Sequence, residues 1–293
     1  MAEQAGSVVK FPNPEFEDYA IRREKIWWLA SYPKSGNTWV RAFLNAYIKG
    51  GALNINAMDL GIGDLVNYFY QVVSPRPITA LTPDEMTMLR PAALLHMTAF
   101  YNNPQVPFVV KTHSMFRADI NTIPPPITNG AIYIVRDPRD VAVSYAKHCG
   151  KSVDEMIEAM ANERHALADS GNPIFQLLSS WSSHVRSWLD ADVNRLVFRY
   201  EDVLERPGEH FLGVLKFLEY QLHQQSFARA CAATTFEKMR EQEDRFGFKE
   251  RKHGDRFFNS GKAGGWKDVL SKEQADRIEG DHREVMQTMG YLS

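Results

Sequence analysis

The chain has 293 residues, of which 44% are hydrophobic, and a formal net charge of -2 at pH 7. This size allows a large buried core, so one α/β domain, with room for an inserted cap, accounts for the chain. The small net charge excludes a basic face for binding nucleic acid. No apolar run approaches the ~18 residues that span a bilayer, and Cys149 and Cys231 offer neither a disulfide framework nor metal-binding spacing. We therefore expect a soluble, cytoplasmic protein that binds neither membrane nor nucleic acid.

The first 24 residues are polar and interrupted by Pro12 and Pro14, which indicates an N-terminal arm before a domain at 25–293. Short apolar stretches then recur at 26–30, 108–110, 131–135 and 196–198, with helical patterns between them. Continuously apolar strands that alternate with helices are typical of a parallel sheet covered on both faces. The predicted fold class is therefore α/β, a single domain with a central parallel sheet flanked by helices. Ligands of such sheets bind beyond the carboxyl ends of the strands.

The first strand leads into the run Ser-Tyr-Pro-Lys-Ser-Gly-Asn-Thr-Trp at 31–39, and an amphipathic pattern from 37 to about 49 predicts a helix. A helix that begins there directs its free N-H groups and positive dipole end towards the turn. Lys34, Ser35, Asn37 and Thr38 add donors at the same point, so the segment predicts an anion site. It is not a Walker A loop, because its lysine precedes the glycine instead of following it.

This run resembles the loop with which cytosolic-type sulfotransferases bind the 5'-phosphosulfate of PAPS (3'-phosphoadenosine 5'-phosphosulfate). The resemblance implies a P-loop-like sulfotransferase fold, PAPS as donor and 3',5'-ADP as product, in what we expect to be a bacterial enzyme that acts on small molecules. It assigns Lys34 to the leaving phosphate oxygen and Trp39 to the adenine. The residues implied to hold the 5'-phosphate are Ser35, Gly36, Asn37 and Thr38, with Asn37 in place of the commoner threonine.

A second motif, at 133–144, reads Tyr-Ile-Val-Arg-Asp-Pro-Arg-Asp-Val-Ala-Val-Ser and predicts a strand that ends at Arg136 and a helix capped by Asp137. In the sulfotransferase family, an arginine and a serine eight positions apart bind the 3'-phosphate. The resemblance therefore assigns this phosphate to Arg136 and Ser144, and the arginine fork suits it. We expect the charged residues Asp137, Arg139 and Asp140 to form a salt-linked start of the helix.

A third segment, Val-Val-Lys-Thr-His at 109–113, resembles the family's Lys-Thr-His motif, whose histidine removes the acceptor's proton. Neutral imidazole has a suitable basicity for this step near pH 7. The resemblance thus implies that His113 is the catalytic base. The family's proline two residues later is missing, since Ser114 and Met115 follow. For Lys111, positioning at the site and a solvated surface role both remain open.

Two further segments resemble the family's adenosine contacts. Tyr200, in the segment 198–202, corresponds to a tyrosine that approaches the base. In the segment 234–239, Thr235 corresponds to a hydroxyl contact, and Phe236 and Met239 to apolar contacts with the adenine. A stacked aromatic ring is worth ~1–3 kcal/mol per base. Without the resemblance, the aromatic residues and the methionine would be read as core packing.

The polar, glycine-containing segment 246–266 is expected to form a lid over the donor. Its end, Ser-Gly-Lys-Ala-Gly-Gly-Trp-Lys at 260–267, resembles only part of the family's last motif. An alignment on Gly261 places the family's arginine and lysine, which hold the 3'-phosphate, on Asn259 and Ser260. Gly261 and Lys262 are retained as donor-binding residues, and the basic residues proposed to replace the missing pair are Arg251, Lys252, Arg256 and Lys262.

The sequence thus predicts a sulfotransferase that sulfates a hydroxyl, with an amine as the second choice, of a small-molecule or natural-product acceptor, without a metal ion. Residues 50–107 are expected to vary with the acceptor, and their candidate lining residues are Met58, Tyr68, Phe69, Tyr70, Met86, Met88, Phe100 and Tyr101. Two alternatives are a nucleoside or small-molecule kinase with a variant phosphate loop and a non-catalytic nucleotide-binding module. A homodimer is left open.

Overall fold

A computed structural model of the protein describes residues 25–101, 106–168, 173–254 and 256–293. The predicted N-terminal arm, 1–24, lies outside these residues. The strands and helices are β1 (Ile26–Ser31), α1 (Asn37–Ile48), β2 (Ile62–Gly63), α2 (Asn67–Val73), α3 (Pro83–Phe100), β3 (Val109–Thr112), β4 (Thr128–Val135), α4 (Pro138–Cys149), α5 (Val153–Ala161), β5 (Ala166–Ala168), β6 (Phe175–Leu177), α6 (Trp181–Leu189), β7 (Arg195–Arg199), α7 (Tyr200–Glu205), α8 (Pro207–Phe217), α9 (Gln224–Ala233), α10 (Phe236–Phe246) and α11 (Lys272–Thr288).

The central sheet has five strands in the order β2-β3-β1-β4-β7, and each neighbouring pair is parallel. The predicted α/β class and all four predicted strands are confirmed. The short β2 and the antiparallel pair β5-β6 were not predicted, because two- and three-residue strands leave no periodic signal. In the sheet, β3 and β4 lie on opposite sides of β1. The carboxyl ends of these three strands therefore surround the switch point, where the direction of the strand order reverses.

Alternate residues of the central strands enter two separate cores. Trp28 and Tyr133 pack on one face with the large side chains of α6 and α11, including Trp181 and Trp188. The opposite face carries Trp27, Leu29, Ile132 and Ile134, which pack with residues of α1 and α8 such as Phe43, Phe211 and Val214. The period of two, with a core on each face, explains why the stretches 26–30 of β1 and 131–135 of β4 are apolar at every position. Both faces are covered, so polar groups of this sheet gather at its ends.

A buried ion pair fixes the end of β3. Asp64 is fully buried and pairs with Arg90 of α3, while it accepts a hydrogen bond of 2.7 Å from Thr112 Oγ1. The Thr112 hydroxyl in turn accepts from the N-H of Ser114 at 3.0 Å. These bonds hold the residues on both sides of His113. Among the described residues, no helix is both long enough and apolar enough to cross a bilayer.

We predict that Arg90→Met lowers the free energy of unfolding by about 3–5 kcal/mol, because it leaves the Asp64 carboxylate buried without its cation. Urea denaturation followed by tryptophan fluorescence measures the loss. The double variant Asp64→Asn with Arg90→Met removes both charges and is expected to lose less than the single variant. A loss below about 1 kcal/mol for Arg90→Met would contradict this account.

Candidate active site

One cleft of about 1160 Å³ lies at the carboxyl edge of the sheet. Residues that directly follow β1, β3 and β4, and the first residue of α7 after β7, line it together with α4, α10 and the segment after α10. Of the residues predicted for the site, those that line this cleft are Lys34, Gly36, Asn37, Thr38, Trp39, His113, Arg136, Ser144, Tyr200, Phe236, Met239, Gly261 and Lys262. Ser35 and Thr235 are not among its lining residues. The four motifs that follow strands of the sheet therefore meet in space, as a parallel sheet requires; they are at 31–39, 109–113, 133–144 and 198–202.

The turn between β1 and α1 depends on two left-handed residues. Lys34 has φ 66° and Gly36 has φ 105°, so the chain reverses sharply into the helix. A Cβ atom on Gly36 would lie 2.7 Å from Cδ2 of Tyr200, which leaves room for glycine alone. The N-H groups of Trp39 and Val40 already bond to the Gly36 carbonyl. Asn37 and Thr38 thus supply the N-H groups that the first turn of α1 leaves without an intrahelical acceptor.

The side chains of this loop face different ways. Asn37 is buried, and its amide donates to the Leu29 carbonyl at 3.0 Å and to Ser31 Oγ at 3.3 Å, so it ties the start of α1 back to β1. The Thr38 hydroxyl donates to Glu250 Oε2 at 3.2 Å. Ser35 is fully buried, and its Oγ has no hydrogen-bond partner in the part of the chain that the structure describes.

Lys34 and Arg136 place positive charge at one point of the cleft. Arg136 is 8% exposed, donates from Nη1 to the Lys34 carbonyl at 3.1 Å and lies 4.3 Å above the Tyr200 ring. The Lys34 Nζ lies 3.5 Å from the ring centroid of Phe257. Burial, and then the charges of Arg136 and Lys111, lower the pKa of Lys34 to about 7. A bound anion would oppose this shift, so the electrostatics favour an anionic ligand.

His113 is held as a neutral, oriented imidazole. Its Nδ1 lies 2.7 Å from the Ser31 carbonyl, and since a carbonyl only accepts, Nδ1 carries the proton and Nε2 keeps its lone pair. Burial is the first cause that lowers the pKa of His113 well below 6.5, followed by the charge of Lys111. His184, which the sequence did not single out, donates from Nε2 to the His113 carbonyl at 3.1 Å. Its ring in turn accepts from the Tyr133 hydroxyl at 2.9 Å.

An aromatic wall closes the side of the cleft near α1 and α10. Trp39 donates to the Thr234 carbonyl at 2.7 Å and meets the Tyr200 ring edge-on at 6.0 Å. Phe236 and Met239 project from α10 into the same cleft. Thr235 is exposed and caps α10, where its hydroxyl accepts from the Lys238 N-H at 3.3 Å. Its hydroxyl thus has a structural partner outside the cleft lining.

Asp140 and Arg139 hold the end of the predicted lid. Arg139 pairs with Asp137 at 2.7 Å, so the predicted salt-linked helix start is confirmed, and it also lies over the ring of Trp266. The Asp140 carboxylate accepts from the N-H groups of Gly264 at 2.7 Å and Trp266 at 2.9 Å. No sequence pattern predicts these bonds, because they join residues more than a hundred positions apart. They fix the lid's end beside Arg136.

The lid segment buries more apolar surface than its composition indicates. Phe248 and Phe258 are 5% and 7% exposed and pack with Ala42, Ile55 and Met239. The carboxylate of Glu243 accepts from the N-H groups of Phe257 and Phe258, at 2.6 and 2.9 Å. Apolar packing of Phe248 and Phe258 therefore helps to hold this segment in place, whereas Phe246 is exposed.

Away from the aromatic wall, the cleft is lined by Gly63, Asp64 and Leu65 from the region 50–107, together with Gln176. The Met and aromatic side chains predicted as its lining are absent from it. Phe69, Tyr70 and Met86 are in the main core, because α2 and α3 pack there, whereas Tyr68, Met88 and Phe100 are exposed. In the described residues, no three His, Cys, Asp or Glu side chains are grouped as metal ligands would be.

Comparison with known proteins gives consistent matches. Sulfotransferase 1B1 of Canis lupus familiaris is 25% identical over 225 residues, which cover 73% of this chain and 65% of that protein. The corresponding Mus musculus protein is covered over 64%, so the chain spans less than two thirds of these two relatives. Sulfotransferase 1 family member D1 of Mus musculus is 24% identical over 93% of this chain and 87% of its own length.

Among solved structures, retinol dehydratase in complex with androsterone and the inactive cofactor PAP is similar in fold, with a TM-score of 0.59. The alignment covers 90% of this chain and 81% of that chain at 22% sequence identity. The family model described as "Sulfotransferase domain" matches residues 24–290. The chain that forms this cleft therefore belongs to the sulfotransferase family.

Proposed function

We propose that this protein transfers the sulfuryl group of PAPS to a hydroxyl group of a small molecule and releases 3',5'-ADP. The observation that carries the proposal is the position of Lys34, which lies beside Arg136 at the N-terminus of α1 with its pKa lowered to about 7. Within the described residues, the Lys34 ammonium has no carboxylate within salt-bridge distance. A cation that is desolvated and unpaired in this way is matched by an anionic ligand.

The residues at this point fit the phosphates of such a donor. Ser35 Oγ and Arg136 Nε are both buried and lack hydrogen-bond partners among the described groups. Phosphate oxygens are acceptors that would satisfy both atoms, and buried polar groups are rarely left unsatisfied. The 5'-phosphate would lie on Lys34, Ser35 and the N-H groups of Gly36, Asn37 and Thr38.

Thr38 can use its hydroxyl for the donor only by releasing Glu250, so its N-H group is the contact that costs no rearrangement. Arg136 and Ser144 would hold the 3'-phosphate, next to Gly261 and Lys262. The purine would meet Trp39, Tyr200, Phe236 and Met239, whose rings and thioether line one side of the cleft. We assign the segment 246–266 to a lid over this donor. Metal ions have no part in this proposal.

His113 would act as general base. Its Nε2 takes the proton of the acceptor hydroxyl as the acceptor oxygen bonds to sulfur and the bond from sulfur to the phosphate oxygen breaks. Lys34 stabilises the negative charge that grows on that leaving oxygen. Most of the rate enhancement then comes from positioning and charge stabilisation.

The acceptor would enter at the end lined by Gly63, Leu65 and Gln176, and His113 also lines the cleft. Asp64 lies there too, but its carboxylate is already used by Arg90, by Thr112 and by Gln176 at 2.6 Å. A paired carboxylate does not recognise an ammonium group strongly. This favours a neutral hydroxyl acceptor over an amine.

We predict that Lys34→Ala lowers turnover by ~10²-fold, because it removes a charge that acts mainly on the transition state. Transfer of label from 35S-PAPS to a panel of phenols and alcohols measures it. Wild-type protein should also be stabilised against heat by 3',5'-ADP and not by ATP with magnesium. Stabilisation by ATP with magnesium alone would favour a kinase, and activity of Lys34→Ala within threefold of wild type would remove Lys34 from the mechanism.

We predict that binding of 3',5'-ADP takes up close to one proton at pH 8 and about half a proton at pH 7. The pKa of Lys34 is about 7 in the protein, so its amine is largely neutral at pH 8, and a phosphate dianion restores the charge. Affinity should therefore fall as pH rises above 7. Calorimetry in two buffers of different ionisation enthalpy measures the uptake, and Lys34→Met is the control that should lose it. Binding without proton uptake at pH 8 would contradict the proposal.

We predict that His113→Gln lowers turnover by ~10²-fold or more for alcohols of high pKa and by much less for acidic phenols, which ionise unaided. Its affinity for 3',5'-ADP should stay within about threefold. Because burial holds the pKa of His113 below 6.5, the wild-type kcat/KM should keep its plateau to pH values below 6.5. An equal loss for all acceptors would indicate a structural histidine.

A further inference from the structure

The basic pair with which relatives are expected to hold the 3'-phosphate is replaced in this chain by Asn259 and Ser260. We propose that Arg240 of α10 and Lys262 of the lid form the missing part of that subsite, and that Arg240 sets the preference for a 3'-phosphorylated nucleotide. This inference rests on the proposed function. It adds a residue, Arg240, that the sequence did not indicate.

Lys262 is fixed beside Arg136 by the backbone. Arg136 Nη2 donates to the Lys262 carbonyl at 3.3 Å, and Asp140 binds the Gly264 N-H two residues later. The Lys262 side chain lines the cleft and is exposed at its rim, and it has no ion-pair partner in the described parts of the chain. Its charge is therefore available to a ligand held by Arg136.

Arg240 lies on the same side of α10 as Phe236, one helical turn further along. The backbone of Gly261 sits directly against Phe236, since a Cβ atom on Gly261 would lie 2.4 Å from Cδ2 of that ring. Arg240 thus shares a helix face with the ring that touches the residue before Lys262. It is half-buried and lines the cleft, and among the described side chains it has no salt-bridge partner.

The other basic residues considered for the role lie elsewhere. Arg256 Nε pairs with Asp244 Oδ1 at 3.0 Å, and neither Arg256 nor Arg251 lines the cleft. Lys252 lines the cleft at the end near Lys34. After burial, the charges of Lys34 and Lys252 both lower the pKa of His148, to about 4, so both lysines lie near that histidine. Lys262 lines the cleft, and its backbone carbonyl accepts a hydrogen bond from Arg136.

A phosphate dianion next to Arg136 gains from a second guanidinium, which makes two parallel bonds in a fixed plane. Arg136 cannot supply all the hydrogen bonds to this phosphate, because its Nη1 and Nη2 already donate to the carbonyls of Lys34 and Lys262. Arg240 would contribute the stronger share, since it is half-buried. Lys262 is exposed, so solvent screens its contribution.

The test compares dissociation constants for 3',5'-ADP and 5'-AMP by calorimetry in wild type, Arg240→Gln, Lys262→Ala, Arg136→Ala and Arg256→Ala. We expect the preference for 3',5'-ADP to fall about tenfold in Arg240→Gln and about threefold in Lys262→Ala, with 5'-AMP affinity nearly unchanged. Arg256→Ala removes a positive charge from the lid segment at a position outside the cleft, so its preference should match wild type. Arg240→Lys should recover part of the loss, because it restores charge without the fork.

The melting temperature without nucleotide shows whether each variant is folded, and glutamine at 240 keeps a long helix-compatible side chain. A preference within twofold of wild type in Arg240→Gln, together with a clear loss in Arg136→Ala, would overturn this inference and leave the proposed function intact. A wild-type protein that does not prefer 3',5'-ADP over 5'-AMP would instead overturn the proposed donor.

Discussion

The enclosure of Lys34 beside Arg136 is the interaction on which the rest of the site depends. Burial in a protein disfavours a charged amine, and a neighbouring guanidinium disfavours it further. Both effects lower the pKa of Lys34 to about 7. The fold tolerates this cost because the left-handed turn at Lys34 and Gly36 and the parallel sheet behind it leave the loop little choice of conformation. An anion in the cleft would offset the cost, which makes charge recognition the organising property of the site.

Ser31, the last residue of β1, couples this loop to the proposed base. Its carbonyl accepts from His113 Nδ1 at 2.7 Å, and its hydroxyl accepts from the Asn37 amide at 3.3 Å. A shift of the loop therefore moves the histidine that would receive the acceptor's proton. The common edge of β1 and β3 gives both groups the same rigid support, and proximity of this kind is a large part of enzymatic rate enhancement.

Local apolar patterns were sufficient to predict the central strands, and the resemblance to a known family predicted many of the residues that line the cleft. Apolar runs predicted the buried strands, and a glycine, a proline or a capping residue predicted where helices begin, as with Asp137 at the start of α4. The directions in which side chains point were harder to predict from the sequence. The amide of Asn37 turns back to β1, and the hydroxyl of Thr235 caps α10, although both were expected to face the donor.

Contacts between distant segments could not be predicted from one sequence. Asp140 binds the lid backbone, His184 supports His113, and Arg240 joins the cleft through the face that it shares with Phe236. The acceptor side was misjudged for the same reason, since the aromatic residues of α2 and α3 are used for packing with each other and with the core. Composition revealed that these residues were apolar, but only the tertiary arrangement decides which surface they cover.

A crystal structure of the protein with 3',5'-ADP tests the central claim most directly. The account predicts the 5'-phosphate on the N-H groups at the start of α1, within hydrogen-bond distance of Lys34 Nζ and Ser35 Oγ, and the 3'-phosphate on Arg136. Glu250 should have released the Thr38 hydroxyl if that hydroxyl also binds the nucleotide. Electron density for the nucleotide at another place, or with its 5'-phosphate away from Lys34, would contradict the account.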